Sequence, residues 1–333
     1  GGYGRGELNP LSDIDLLFLL SAKPQPLTET FIKDALSAIW GFGMEIGHSS
    51  RTIKDSVKLA REDLTIKTSM IETRFLIGSR STYEKFYNSI HKNVLQKNVK
   101  QFLNSKLKEK YIRHGQEDGV VCHPEPDIKN GPGGLRDYHN ALWATAVRYG
   151  CNSLREINET HGLSRPEIES LYHSVDFSLR VRNELHYLTE KKTDVLTFDI
   201  QKQLAANLGY LSSTDGQPVE EFMRDYYLHA TNIHNFSQNL FEHCRQPKRS
   251  LKKVISSLTK KSLGHGFHIS DSSLIYDSDA KEDFKKDKSL VFTALELCRK
   301  HQVMPDYKLR RQMRLHKNLI NAQFMKGAEV RDF

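Results

Sequence analysis

The run Asp13-Ile14-Asp15-Leu16-Leu17-Phe18-Leu19-Leu20 constrains this chain more than any other, because it reads as a short buried strand with two acids at its head. A turn signal, Asn9-Pro10-Leu11-Ser12, precedes it, and a loop over 21–26 follows. Side chains alternate along a strand, so Asp13 and Asp15 project to one side while Ile14 and Leu16 project to the other. Two carboxylates held this close raise each other's pKa and do not both stay ionised unless positive charge sits between them. A divalent cation resolves the conflict. Hard oxygen ligands at this separation suit Mg²⁺, which takes one or two carboxylates together with phosphate oxygens and water. The plainer alternative is a strand that begins at the surface with both acids in solvent.

The residues upstream favour the cation. Gly1-Gly2-Tyr3-Gly4-Arg5-Gly6 reads as a loop whose backbone N–H groups can approach phosphate oxygens, and Arg5 adds a fork that can hold phosphate. A phosphate cradle followed by a carboxylate pair is a constellation for a nucleoside triphosphate with Mg²⁺, and its natural reaction is in-line displacement at phosphorus. Such sites commonly draw a third carboxylate from a neighbouring strand. Glu45, between Met44 and Ile46 in a short strand predicted over 43–47, is the candidate. A surface acid on an edge strand is its alternative reading, and Asp63, in helical surroundings, is a weaker rival.

Beyond the first strand the pattern turns helical. Thr28 to Trp40 places Phe31, Ala35, Leu36 and Ile39 on one face, and Gly41 and Gly43 end it. Helical spacing resumes from Lys54, and past residue 92 almost no strand signal remains. The loops 123–127 and 131–134, rich in Pro and Gly, separate a lysine-rich helix over 94–111 from one that starts at Leu135 and stops at Gly150. Ser164-Arg165-Pro166-Glu167 has the form of a capping box. The helix it opens carries Ile168, Leu171, Val175 and Leu179 on a face that continues onto Arg182 and His186, which read as a buried hydrogen-bonded pair supporting a contact between domains. Helices are predicted at 200–208 and 219–240, with two or three more after 249. The fold class is α+β: a small mixed-sheet domain over 1–90, a mostly α-helical domain over 91–245, then a basic linker and C-terminal helices over 246–333.

Gly133-Gly134 at a helix start, with Arg136 behind and Lys129 ahead, makes a second anion-binding feature, which could close over a nucleotide or receive a protein substrate. A tight connector with a surface arginine is the competing reading. His123 and His139 read as structural.

Composition limits the remaining classes. With 38% hydrophobic and 27% charged residues among 333, the chain can bury a core and is neither disordered nor low in complexity. No apolar stretch approaches the roughly 20 residues of a bilayer-spanning helix, and no export leader is evident. Cys122, Cys151, Cys244 and Cys298 lie far apart, which fits inert thiols in a reducing cytoplasm. The excess of 49 Lys+Arg over 41 Asp+Glu favours anionic partners. Nucleic acid is not expected, because the basic run between Arg245 and Lys261 lacks interleaved aromatics.

The stretch from Gly1 to Leu20 resembles the signature of the DNA polymerase β-like nucleotidyltransferase superfamily, and more narrowly that of the bacterial PII uridylyltransferase/uridylyl-removing enzymes. Lys129-Asn130-Gly131-Pro132-Gly133-Gly134-Leu135-Arg136-Asp137-Tyr138-His139 is similar to that family's K-x-G-x-G-G-L-R-D-x-H segment, and Leu179 to His186 resembles its L-R-x-R-x-x-L-H helix. The resemblance covers about residues 1 to 240. It implies Mg²⁺-dependent transfer of UMP from UTP to a tyrosine of the PII nitrogen-regulatory protein with release of pyrophosphate. Asp13 and Asp15 would ligate metal with Glu45 as third acid, Gly1 and Gly2 would contact the triphosphate, and Ser12 would touch phosphate. Adenylyl transfer of the glutamine synthetase-modifying type, and a non-catalytic nucleotide-binding regulator, are the alternatives. Family members typically continue into an HD phosphohydrolase domain and paired ACT domains. This sequence has no His-Asp dipeptide and opens without the strand that precedes the Gly-Gly turn, so it reads as a fragment from which UMP removal is not expected and transfer is expected to be reduced.

Overall fold

The computed structural model describes residues 1–115, 121–151, 156, 165–211, 217–245, 261–270, 273–277 and 280–316. Its described residues fall into two compact units, Gly1–Cys244 and Arg245–Phe333.

The first unit is organised by a βαβ element. Strand β1 (Ile14–Leu20) runs parallel to β2 (Ile46–Thr52), pairing Ile14 with Ile46 through to Leu20 with Thr52. Parallel neighbours need a long crossover, and here it contains helix α2 (Pro26–Gly41), which starts with proline at its first position, where no N–H is missed. Two expectations need correcting. Of the face read as Phe31, Ala35, Leu36 and Ile39, Leu36 is buried and Ala35 and Ile39 are half-buried, but Phe31 is 67% exposed and Ile32 is buried in its place. The second strand begins at Ile46 instead of ending at Gly47, because Ile-Gly-His-Ser-Ser-Arg-Thr is held by its backbone ladder and not by an apolar face. Glu45 therefore sits just ahead of β2, where its carbonyl accepts the Ile14 N–H at 2.9 Å.

The opening glycines also differ from the loop expected of them. Gly2–Arg5 form one helical turn (α1), closed by Gly6 at φ 76°. Gly4 is needed for approach: a Cβ there would lie 2.0 Å from the Glu72 carbonyl oxygen.

Helices α3 (Ile53–Glu62), α4 (Leu64–Ile71) and α5 (Arg80–Ile90) are capped by Thr52, Asp63 and Ser79, each accepting a first-turn N–H. Asp63, the rival third acid, is thus engaged as a helix cap, accepting Ile66 N–H at 2.8 Å. A π-turn (His91–Leu95) leads towards α6 (Val99–His114), and α7 (Leu135–Tyr149), α8 (Arg165–Thr189), α9 (Phe198–Asn207) and α10 (Pro218–Arg245) complete the unit. Ser164 of the predicted capping box lies outside the described residues. The residues inside the basic run, 246–260, do so too. One core joins Phe86, Ile90 and Leu95 to Phe102, Trp143 and Phe241, with Leu17 and Leu19 of β1 packed against it. The border expected near residue 90 is crossed by this core. Two further clusters, around Leu171 and Ile233 and around Val181, Leu204 and Phe222, lie along α8 and α10.

The second unit contains strands that the sequence pattern does not announce. β3 (Lys261–Gly264), β4 (Phe267–Ser270) and β5 (Ser273–Tyr276) are antiparallel in order, and β6 (Met304–Pro305) joins β5 in parallel. Strands of four residues complete too few alternations to reveal a period of two. Helices α11 (Ala280–Lys286), α12 (Leu290–His301) and α13 (Tyr307–Leu315) accompany them, and Phe267, Leu274, Phe284 and Leu309 are buried together.

Because Phe86 is enclosed in a core shared from β1 to α10, Phe86→Ala is expected to destabilise the whole first unit by about 3–5 kcal/mol. Denaturant unfolding followed by Trp143 fluorescence in a Trp40→Phe background checks this. A single shifted transition is the expected outcome, and an unshifted midpoint contradicts a shared core.

Candidate active site

Asp13 and Glu45 converge. The Lys192 ammonium donates to both carboxylates at once. That hydrogen bond holds the Asp13 carboxyl below its ordinary pKa, with a further contribution from the nearby charge of Lys129, and the same contacts raise Lys192. Asp13 is 58% exposed and Glu45 71%, so the pair faces solvent. Asp15 lies beside them against bare backbone. Its Oδ2 is 2.2 Å from where a Gly1 Cβ would be, and its Oδ1 is 2.9 Å from that of Gly47, its partner across the ladder. Larger residues at 1 or 47 would collide with this carboxylate.

The family resemblance calls for a divalent metal here, and the donor set can be tested against one. Among the described residues no three or more His, Cys, Asp or Glu side chains are grouped closely enough to hold a metal ion by themselves. Asp13 and Glu45 nevertheless hold one cation, the Lys192 ammonium, between them, and Asp15 follows two residues along β1. An open, all-oxygen set of this kind fits an ion that keeps several waters and takes phosphate oxygens, as Mg²⁺ does.

Lys192 is delivered by an anchored loop at the end of α8. Glu190 turns the chain in the left-handed region at φ 52°, and Thr189 Oγ1 donates to the Leu185 carbonyl at 2.7 Å and to that of Lys191 at 3.3 Å. Two residues on, the Asp194 carboxylate accepts Arg182 Nε–H at 2.6 Å and faces His186 Nε2 at 3.3 Å and Lys129 Nζ at 3.7 Å. Burial raises the Asp194 pKa, but the Arg182 hydrogen bond and the surrounding charges outweigh it and hold the carboxyl low. Arg182 also reaches Asn9, and His186 Nδ1 meets the Pro10 carbonyl at 2.6 Å. The two residues expected to pair on this helix meet through Asp194, with His186 buried and Arg182 half-buried, and together they grip the turn 9–12 that leads into Asp13. Ser12 lies in that turn, its N–H bonded to the Asn9 carbonyl at 3.3 Å. Lys129, tied to Asp194, is lowered by its own burial against that partner's pull.

The two arginines are placed differently. Arg5 is committed to Glu7 at 2.8 Å and Glu72 at 2.5 Å, and Glu72 also accepts Trp143 Nε1–H at 2.6 Å. Arg136 lies over the Trp143 ring, 5.6 Å from its centroid. Among the described residues neither bonds to Asp13, Asp15 or Glu45. The Gly-rich turn before α7 already holds an anion of its own. Asp137 Oδ2 accepts Gly133 N–H at 3.1 Å, and its other oxygen pairs with Arg113 at 2.5 Å and lies 3.2 Å from His114. Burial opposes ionisation of Asp137, yet its imidazole and lysine neighbours drive its pKa far below the usual carboxylate range. Upstream, Asp127 accepts the N–H groups of Lys129 and Asn130 at 2.9 and 2.7 Å. His123 makes a local turn with Glu125. Sequence reading missed Lys192, Asp194, Glu72 and Asp137. The Lys191-Lys192 pair just after a long helix was the visible signal for the first.

Residues 101–241 match the family model of the GlnD PII-uridylyltransferase. This region is a domain of that family. The chain is also similar to proteins named bifunctional uridylyltransferase/uridylyl-removing enzyme. It is 37% identical to that of Rhodospirillum rubrum over 79% of this chain and 28% of the relative. It is 32% identical to that of Nitrobacter winogradskyi over 99% and 36%, and 38% identical to that of Cereibacter sphaeroides over 70% and 25%. The chain thus spans about a third, or less, of the length of these relatives. The uridylyltransferase-family region contains Lys129, Arg182, Lys192 and Asp194, so it supplies one wall of the site, while β1 and the residue before β2 supply the carboxylates.

His139, within the same region, is fully enclosed, and its Nε2–H points at Glu7 Oε2, 3.2 Å away. Burial pushes its pKa from 6.5 down to about 4, against the pull of Glu7, so it is neutral at pH 7. The unfolded chain then binds the proton more tightly than the folded one. Stability is complete above about pH 6.5 and falls by up to about 3 kcal/mol as pH drops towards 4. His139→Gln is expected to flatten that limb in urea unfolding at stepped pH, leaving the acid loss below about pH 4.5 that the Glu72 carboxyl, despite its burial held low by Arg5 and the N-terminal amine, produces. An unchanged limb contradicts the assignment.

Proposed function

We propose that this chain transfers UMP from UTP to a tyrosine hydroxyl of a PII-type signalling protein, releasing pyrophosphate, with Mg²⁺ as the metal. The observation that carries this is the convergence of Asp13 and Glu45 on a single cation. When bound, the metal supplies Lewis-acid activation of the attacking hydroxyl and neutralises the leaving pyrophosphate. The protein's part is to hold charges in place. Asp13, Asp15 and Glu45 provide hard oxygen ligands at the end of a rigid ladder. Gly1 and Gly2, free of side chains, let the triphosphate approach Asp15, and Ser12 offers a hydroxyl and an N–H at its rim. Lys129, held by Asp194, contributes positive charge to the same cleft. Arg5 acts at one remove: it fixes α1 against Glu72, which keeps Gly1 and Gly2 where they are; Arg136 lies over Trp143. None of the four cysteines is joined in a disulfide, which suits the reducing cytoplasm proposed for this chain.

Asp15→Asn is expected to lower transfer by at least about 100-fold while circular dichroism and melting stay those of the parent. Labelled UTP and ATP, incubated in parallel with Mg²⁺ and a PII-type protein, test the donor: label from UTP alone is expected. Label from ATP instead moves the assignment to protein adenylylation, and residual activity of Asp15→Asn within about tenfold of the parent removes the carboxylate from the mechanism.

A further inference from the structure

Lys192 occupies the place a metal ion would take. Its Nζ sits between Asp13 and Glu45, and an ammonium and a divalent cation repel and cannot share two carboxylates. The side chain is 41% exposed on a flexible four-carbon stem, so its head is free to leave. Its base is not. The Lys191 carbonyl accepts Thr189 Oγ1–H and, at 2.9 Å, the N–H of Thr193, while the Asp194 backbone carbonyl accepts Ile128 N–H at 2.8 Å and its carboxylate is clamped by Arg182. The ammonium can therefore swing within a small radius of the acids and no further.

We infer that Lys192 is an exchangeable counter-ion of this site. With no nucleotide bound it neutralises Asp13 and Glu45. When the divalent cation arrives it yields those carboxylates and pairs with a phosphate oxygen of the nucleoside triphosphate that accompanies the metal. The inference rests on the nucleotidyl-transfer reading above. It makes two predictions of opposite sign for removal of the ammonium: the metal alone binds more tightly, because a competitor is gone, and the metal–nucleotide complex binds less tightly, because a phosphate partner is gone. A lysine serving only to steady the loop produces neither pattern.

The test is a Mn²⁺ titration of the full chain by electron paramagnetic resonance, without nucleotide and then with a non-hydrolysable UTP analogue. Lys192→Gln is expected to bind Mn²⁺ alone about fivefold more tightly and the analogue with Mn²⁺ about tenfold more weakly, whereas Lys192→Arg stays within about twofold of the parent in both. Asp13→Asn serves as the control and is expected to lose Mn²⁺ affinity whether or not Lys192 is present. If Asp13→Asn loses affinity but Lys192→Gln leaves Mn²⁺ binding unchanged or weaker, the counter-ion role is overturned and the carboxylate site stands. If Asp13→Asn binds Mn²⁺ as the parent does, both readings fall.

Discussion

The Asp194 carboxylate is the charge on which the arrangement of the site depends. Three cationic or imidazole side chains from two parts of the chain meet it: Arg182 and His186 from α8, and Lys129 from the loop before α7. Arg182 and His186 in turn hold Asn9 and Pro10, so a single acid links the long helix to the turn that launches β1. An ion cluster of this kind adds little net stability, since desolvation offsets most of the attraction. Its effect is on specificity. An alternative seating of α8 against that turn would strand a buried charge, which costs several kcal/mol, so one arrangement is selected.

Two other acids show the same economy. Asp137 fills the Gly133 N–H of the turn that reads as an anion site, and Asp127 fills the Lys129 and Asn130 N–H groups just ahead of it. An internal carboxylate that already satisfies these donors leaves a joint whose shape is fixed before any ligand arrives. Gly133 makes the joint possible, because at φ 78° it passes so close to α10 that a Cβ would lie 2.2 Å from the Ala230 carbonyl oxygen. Arg113, Lys110 and His114 converge on Asp137 from α6, so α6 and the start of α7 are tied through one side chain.

The sequence made much of this legible, and the gaps have physical causes. Asp13 and Asp15 declare themselves because acids are expensive at the head of an apolar run, and Arg182 and His186 because they continue an apolar helical face. β2 was misplaced by three residues at its start, since its side chains are largely polar and its pairing is a property of the backbone. The four-residue strands of the second unit left no periodic trace. Arg5 reads as a phosphate ligand when only its neighbours in sequence are considered. Glu72, 67 residues away, claims it, and no local pattern reports such a partner. Lys192 is the sharpest omission, for an exposed lysine after a helix looks like any other solvated charge until the fold brings it to the strand acids.

The hydrogen bond from Ile14 N–H to the Glu45 carbonyl opens the β1–β2 ladder, and it carries a consequence for how sequences of this kind can diverge. The gap between the acid ahead of one strand and the acid ahead of the other is set by ladder spacing, not by the length or content of the connection between them. Insertions and deletions in the loops on either side of α2, at 21–25 and 42–44, are therefore compatible with an intact spacing of Asp13 and Glu45, provided Ile32 and Leu36 keep their buried face. A shift of a single residue within β1 is not, since it would exchange the faces of Ile14 and Asp15.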